Sequence, residues 1–437
     1  MQTSLETLGQ LERRLNVAVP LAAIDNEVAK RLAKLAKTVK VAGFRPGKVP
    51  LKMVASQYGP QVRSDVISDT VQATFNDALR DQNLRIAGYP RIEPKEQSPG
   101  AEGQLEFSAV FEVYPEIRIG DLSTVTVKRP VAEVGPANID ETIEVLRRQR
   151  AHFQPVTRPA AQGDRVTVDF SGRIDGVEFA GGQAKDFTIN LGEGRMLPEF
   201  EAAVTGMQAG ESKVFRLTFP ADYHGKEVAG KEAEFTLQVL AVNEAQLPAV
   251  DADFAREFGV ASGDLDELRT EIATNLRLEL KRKIETIVKE QALAALRAKA
   301  EFAVPRSLVE GEAQNMARQM AADLQRQGMK AEDVNLSPDM FRPRAEDRVV
   351  LGLAIGELVR LHGLSAKPEQ VKALVLEAAQ TYEQPEAVVR WHYEQQDRLK
   401  EFESLAVERN VVDWILSQAK VEDTPASFAD LMGPTRA

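Results

Sequence analysis

No cysteine occurs in the 437 residues, which excludes a disulfide framework, thiolate catalysis and thiolate metal sites. Histidine is scarce: His152, His224, His362 and His392 are the four in the chain, and none has metal-ligand spacing. Long apolar runs are missing. No window reaches the roughly 18 unbroken apolar residues of a membrane span. The richest, residues 349–359, is interrupted by Gly352, Gly356 and Glu357. Residues 1–20 hold no apolar core of signal-peptide length, because Glu6 and Glu12 break it. These absences lead us to expect a cytoplasmic protein with no membrane segment, no metal and no cofactor.

What is present is ordinary in bulk and unusual in one place. Hydrophobic residues make up 43% and charged residues 28%, the proportions of a soluble globular chain, and the length suits about three domains. Net charge is -11, so any contact with nucleic acid must be local. Between Lys30 and Lys52 there is no Asp or Glu, yet Lys30, Arg31, Lys34, Lys37, Lys40, Arg45, Lys48 and Lys52 all fall there. At its centre stands Gly43-Phe44-Arg45-Pro46-Gly47-Lys48-Val49-Pro50. Two glycines widen the accessible backbone angles and two prolines fix theirs. The stretch reads either as a helix-helix turn or as a stiff tip holding an aromatic ring and cations toward an anionic partner.

Periodicity sorts the rest. Residues 11–19 alternate as a strand, 21–39 repeat as a helix, 62–82 continue helical after Pro50, and 89–94 and 105–114 return to strands, giving an α+β region. Residues 125–134 read as extended and 136–153 as a helix. From 161 to 246 the texture is short alternating strands at 165–173, 186–191, 213–219 and 234–242, with glycine-rich turns and one short helix at 198–204. That is the pattern of a half-barrel around a helix. Residues 225–231 begin like a phosphate loop, but Glu232 replaces the required Ser or Thr and a strand follows. Gly192-x-Gly194 is too short for a dinucleotide signature. Beyond Pro248 the pattern is helical at 264–300, 306–327, 345–362, 368–382 and 385–419, ending in an extended tail over 422–437. Met316, Met320, Met329 and Met340 read either as core filler or as adaptable surface for varied chains.

Two resemblances give these parts a meaning. The stretch at 43–50 resembles the ribosome-docking signature Gly-Phe-Arg-x-Gly-x-x-Pro of the trigger factor family, matched by Gly43, Phe44, Arg45, Gly47 and Pro50. Pro46 stands where many members carry Lys. Residues 161–246 resemble the FKBP-type peptidyl-prolyl isomerases through VDFSG at 168–172, FAGG at 179–182, LGEGRMLPEFE at 191–201, FPADYHG at 219–225 and EFTLQVL at 234–240. Carried over residue by residue, the resemblance implies a proline pocket of Phe170, Phe179, Phe187, Met196, Leu197, Phe200, Tyr223 and Phe235, with Phe200 as its floor. On the residues alone, Phe170 and Phe235 read equally as barrel core. Ala180 and Glu199 stand where FKBP-type members carry an acidic residue and a glycine. The implied fold class is a multidomain α+β chain: a ribosome-binding α+β domain (1–115), a linker with an extended segment and a helix (116–160), an FKBP-like antiparallel half-barrel with a short helix (161–246) and an all-α chaperone domain (247–437). The implied ribosome contacts are Gly43, Phe44, Arg45, Pro46, Gly47 and Lys48. The implied partners are the large ribosomal subunit at the tunnel exit, through protein and ribosomal RNA, and nascent or unfolded polypeptides. A homodimer off the ribosome is a state that family members adopt. Two other readings compete: a soluble isomerase whose helices serve only dimerisation or delivery, and a holdase or adaptor whose FKBP fold turns over little.

Overall fold

The computed structural model describes residues 2–40, 44, 49–94, 103–223, 225–329, 336–380, 382 and 384–433. In chain order its elements are β1 (Gln2–Thr7), β2 (Glu12–Pro20), α1 (Leu21–Thr38), α2 (Leu51–Asp81), β3 (Ile86–Pro94), β4 (Gln104–Val113), β5 (Thr126–Val131), α3 (Pro136–Gln149), β6 (His152–Val156), β7 (Arg165–Ile174), β8 (Val177–Asn190), α4 (Pro198–Val204), β9 (Ser212–Thr218), β10 (Glu232–Gln246), α5 (Ala252–Glu257), α6 (Leu265–Ala298), α7 (Arg306–Arg326), α8 (Arg342–His362), α9 (Pro368–Ala379), α10 (Pro385–Tyr393), α11 (Lys400–Gln418), β11 (Lys420–Pro425) and α12 (Phe428–Met432). None of the helices among the described residues is long and apolar enough to cross a membrane. The chain divides into two compact units, residues 1–127 with 289–421, and residues 128–288 with 422–437.

In the first unit, β1-β2-β4-β3 form an antiparallel sheet. Leu15, Val17 and Val19 alternate along β2 and are buried with Phe107, Ala109 and Phe111 of β4 under Val66, Val71 and Phe75 of α2. Phe75 meets Phe111 edge-on at 5.3 Å. The α1–α2 pair continues past the sheet with its own small core of Leu32, Val49 and Val54. Pro50 is the N-cap of α2, a helix of 31 residues that runs through Pro60. The helical part of this unit is held by Ala292 and Leu296 of α6, Ala354 and Leu358 of α8, and Val411, Val412 and Ile415 of α11. A second cluster joins Val309, Ala313, Met316 and Ala317 of α7 to Ala345 of α8. Met316 is therefore core, whereas Met320, Met329 and Met340 are exposed, Met340 by 70%.

The second unit holds the half-barrel. Its strands run β6-β10-β7-β8 with β9 paired to the other part of β10. Val166 and Val168 on β7, and Phe235, Leu237, Val239 and Val242 on β10, form its core with Phe200 and Val204 of α4. Beside it α3 packs Ile143 on Phe254 and Ala255 of α5 and on Leu268 and Ile272 of α6.

Several expectations change. Residues 385–419 are two helices, α10 and α11, separated by a 3-10 turn at Gln396–Leu399. The tail is not simply extended: Lys420–Pro425 pairs with β5, Arg129 binds Asp423 through two bonds of 2.7 and 3.1 Å, and Phe428–Met432 is a short helix capped by Ser427. The helix expected over 136–153 stops at Gln149, and Phe153 lies instead in β6, an edge strand where Pro155 is tolerated. The strand expected at 186–191 is the end of β8, 14 residues long. Strand β1 and helix α5 are additional; apart from Leu5 β1 is polar, and its described side chains are all exposed, so it carries no period-two burial signal.

Candidate active site

The period-two pattern of β7, β9 and β10 sends every second side chain into the half-barrel, and α4 closes one end. The result is a cavity of about 570 Å³. Phe170, Phe179, Met196, Leu197, Phe200, Tyr223 and Phe235 all line it. Phe200, 2% exposed, lies at its base, with ring centroids 5.4 Å from Phe170 and 5.8 Å from Phe235, both edge-on. Phe179 stands edge-on to Phe235 at 6.1 Å. Edge-to-face geometry places the positive rim of one ring on the negative face of the next, so the rings interlock and fix the cavity's shape.

Phe187 is the exception among the eight. It does not line the cavity; β8 is the edge strand, and the Phe187 ring, 38% exposed, covers Phe170 edge-on at 5.6 Å. Phe215, Leu217 and Phe219 were not singled out from the sequence. They alternate along β9 and just beyond it; Leu217 and Phe219 line the cavity, and Phe215 stacks on Phe235 at 5.8 Å. Their spacing was the signal, since 213–219 read as a strand.

Two glycines make the ring positions possible. Gly172 is the cross-strand partner of Phe235, and a Cβ on it would sit 2.5 Å from Phe235 Cε1. A Cβ on Gly182 would lie 2.8 Å from Phe179 Cζ. Each ring thus packs against a backbone that glycine leaves bare.

The cavity's interior is apolar and its mouth is charged, with Arg195, Lys226 and Glu227 among the lining residues. One wall is the 191–197 segment. Leu191 N–H donates to the Asp164 carbonyl at 2.9 Å, and Gly163 N–H donates back to the Leu191 carbonyl at 2.8 Å. Asp164 is itself buried, accepts from Ala161 N–H at 2.9 Å, and takes two bonds from Arg158, at 2.6 and 3.0 Å. Arg158 also reaches Glu244 at 2.7 Å. Burial pushes the Asp164 carboxyl up, but the Arg158 hydrogen bonds, the Ala161 N–H and the Arg158 charge outweigh it and hold the group below the usual carboxylate range. Among the described residues no three His, Asp or Glu side chains converge as metal ligands, and His224 lies outside the described residues.

Of the expected ribosome contacts, Gly43, Arg45, Pro46, Gly47 and Lys48 lie outside the described residues. Phe44 is described and exposed. The flanking basic helix is partly neutralised: Arg31 binds Asp69 of α2 at 2.7 Å and Glu27 at 3.6 Å, while Lys30 reaches Glu27 at 3.7 Å.

Three family models match the chain. Residues 1–146 match the bacterial trigger factor protein profile, 264–417 match the bacterial trigger factor C-terminus, and 156–240 match the FKBP-type peptidyl-prolyl cis-trans isomerases. A trigger factor from Aromatoleum aromaticum is 52% identical over 433 residues, covering 99% of each chain. Trigger factors from Nitrosospira multiformis and Laribacter hongkongensis are 50% and 51% identical, each covering 99% of this chain and 100% of the relative. The chain belongs to the trigger factor family of ribosome-associated chaperones and carries that family's FKBP-type peptidyl-prolyl cis-trans isomerase domain.

Proposed function

We infer that the aromatic cavity is the site where X-Pro bonds of nascent and unfolded polypeptides isomerise, in a cytoplasmic chaperone docked at the tunnel exit of the large ribosomal subunit. In this reading residues 1–115 dock, through Gly43, Phe44, Arg45, Pro46, Gly47 and Lys48, on ribosomal protein and RNA. Residues 161–246 isomerise, residues 247–437 hold client segments, and 116–160 link the parts. Off the ribosome a homodimer is the alternative state.

The observation that carries the reading is the ring-walled cavity over Phe200. Rotation about a peptide C–N bond faces a barrier of about 18–20 kcal/mol, because resonance gives it partial double-bond character. X-Pro exchange therefore takes tens to hundreds of seconds without help. Midway through rotation the resonance is lost, and the carbonyl and nitrogen become less polar. A dry, apolar cavity shaped to the twisted imide favours that state over both planar ones. No nucleophile or proton relay is needed. The walls exclude water, Phe200 supports the proline ring, and the Tyr223 hydroxyl or a backbone N–H near Leu197 bonds the substrate carbonyl.

Phe200→Ala tests this directly. It is expected to slow proline-limited refolding catalysis by about tenfold or more. Equal rates for variant and parent in that assay would leave the holdase reading instead.

A further inference from the structure

Helix α4 carries a second buried residue that neither the cavity nor the core explains. Glu201 follows Phe200, is 8% exposed, and points into the protein. Its Oε2 accepts from Gly192 N–H at 3.1 Å. Its Oε1 is buried with no hydrogen-bond partner among the described residues. A buried carboxylate with one bond is a costly choice where an apolar residue of similar volume would pack as well. A buried polar group of this kind calls for an explanation.

The bond to Gly192 gives one. Gly192 opens the wall segment that brings Met196 and Leu197 to the cavity. It sits at φ +93°, a backbone conformation that glycine adopts without strain and other residues resist. The far end of the segment is fixed to α4, where Phe200 N–H and Glu201 N–H donate to the Leu197 carbonyl at 2.9 and 3.1 Å. The near end is fixed to the 160–164 turn through Leu191. Glu201 closes the loop between them, joining Gly192 near the start of the wall to the helix that carries the floor.

We propose that Glu201 is a positioning residue for the isomerase: its carboxylate sets the distance between the Met196–Leu197 wall and the Phe200 floor. This rests on the reading of the cavity as the isomerase site. The substrate never touches Glu201; the residue acts through Gly192.

The test uses the full chain with Glu201→Met, Glu201→Gln and, in parallel, Phe200→Ala. Methionine matches the buried volume and removes the unpaired oxygen, so a purely structural role expects parental or better thermal stability and unchanged turnover. The positioning role expects the parental melting temperature or higher but kcat/KM on a proline tetrapeptide lowered about tenfold. Glu201→Gln keeps an oxygen for Gly192 N–H and is expected within about twofold of the parent. Amide exchange at Gly192 should quicken in Glu201→Met and stay slow in Glu201→Gln. Parental kcat/KM in Glu201→Met overturns the proposal, and so does a Glu201→Gln variant as impaired as Glu201→Met. If Phe200→Ala is also fully active, the cavity itself has been misassigned; if Phe200→Ala is inactive while Glu201→Met is not, only the role of Glu201 fails.

Discussion

Arg158 and Asp164 make the half-barrel sensitive to acid. Asp164 is the buried partner, and Arg158 holds its carboxyl below the usual range against the opposing effect of burial. The depressed folded value means that the unfolded chain takes up the proton more readily. Stability from this pair is therefore complete above the ordinary aspartate value, about 3.9, and fades as pH falls through the lower folded value. In Arg158→Ala burial is left unopposed by the guanidinium, and the charged carboxylate becomes a liability at neutral pH. The variant is expected to melt about 3 °C below the parent at pH 7, with the gap shrinking below about pH 4 as Asp164 protonates. Melting curves at both pH values check this; a gap that widens in acid would contradict the assignment. The same turn supports the cavity wall, because Asp164 receives Leu191 N–H through its backbone carbonyl.

Helix α7 starts against the N-terminal sheet, and its first turn is capped from outside its own sequence. The Glu112 carboxylate of β4 accepts from Arg306 N–H at 3.1 Å and from Ser307 N–H at 2.7 Å. The Ser307 hydroxyl lies 2.7 Å from Glu112 Oε2 and 2.6 Å from the Ala87 carbonyl, two acceptors for one proton. Gly88, at φ +79°, permits the approach, since a Cβ there would lie 2.6 Å from Ser307 Cβ. An anion on two free N–H groups at a helix start is stabilising by about 1 kcal/mol. Glu112→Ala should lower unfolding free energy by that much, and Ser307→Ala should add less than its own effect in the double variant. Additivity within about 0.3 kcal/mol would mean that the two residues do not form one clasp. Nothing in the local sequence announces this cap, because Pro305 precedes the helix and its partner lies 194 residues away. The same limit separates what was legible from what was not. α4 was readable to the residue because Pro198 starts it and its buried positions follow helical spacing. The cavity was readable because strand alternation and the family motifs name the inward phenylalanines. Phe187 departs because the order of strands, which puts β8 at the edge, is a property of the sheet and not of β8's own pattern. Glu201 was invisible for the opposite reason: in sequence it is one more acid in the first turn of a helix, and only burial sets it apart.

At the scale of the whole molecule the two proposed sites have separate foundations. The α1–α2 pair, which flanks residues 43–48, draws its stability from the Leu32, Val49 and Val54 core and from the sheet beneath Phe75. The ring-walled cavity draws its stability from the half-barrel core around Phe200 and Leu237. The two cores share no residue and lie in different compact units. The charge pattern separates them as well. A chain with net charge -11 should be repelled by ribosomal RNA, yet the stretch from Lys30 to Lys52 carries no acid. Within it Arg31 is already held by Asp69 and Glu27, so on the docking reading proposed above the charge falls to the remaining cations, Arg45 and Lys48 at the signature itself among them. Replacing Phe44, Arg45 and Pro46 together with alanine removes the ring, the guanidinium and one fixed backbone angle. Ribosome co-sedimentation is expected to weaken about tenfold or more, with the residual binding falling less steeply as salt rises because one cation has gone. Catalysis of proline-limited refolding by the same variant should stay within about twofold of the parent, since no residue of the half-barrel core has changed. Phe200→Ala should give the converse, normal sedimentation with poor catalysis. Unchanged ribosome binding in the triple variant would remove residues 43–48 as the anchor, and a parallel loss of isomerase activity would show that docking and catalysis depend on each other in a way that their separate cores do not provide.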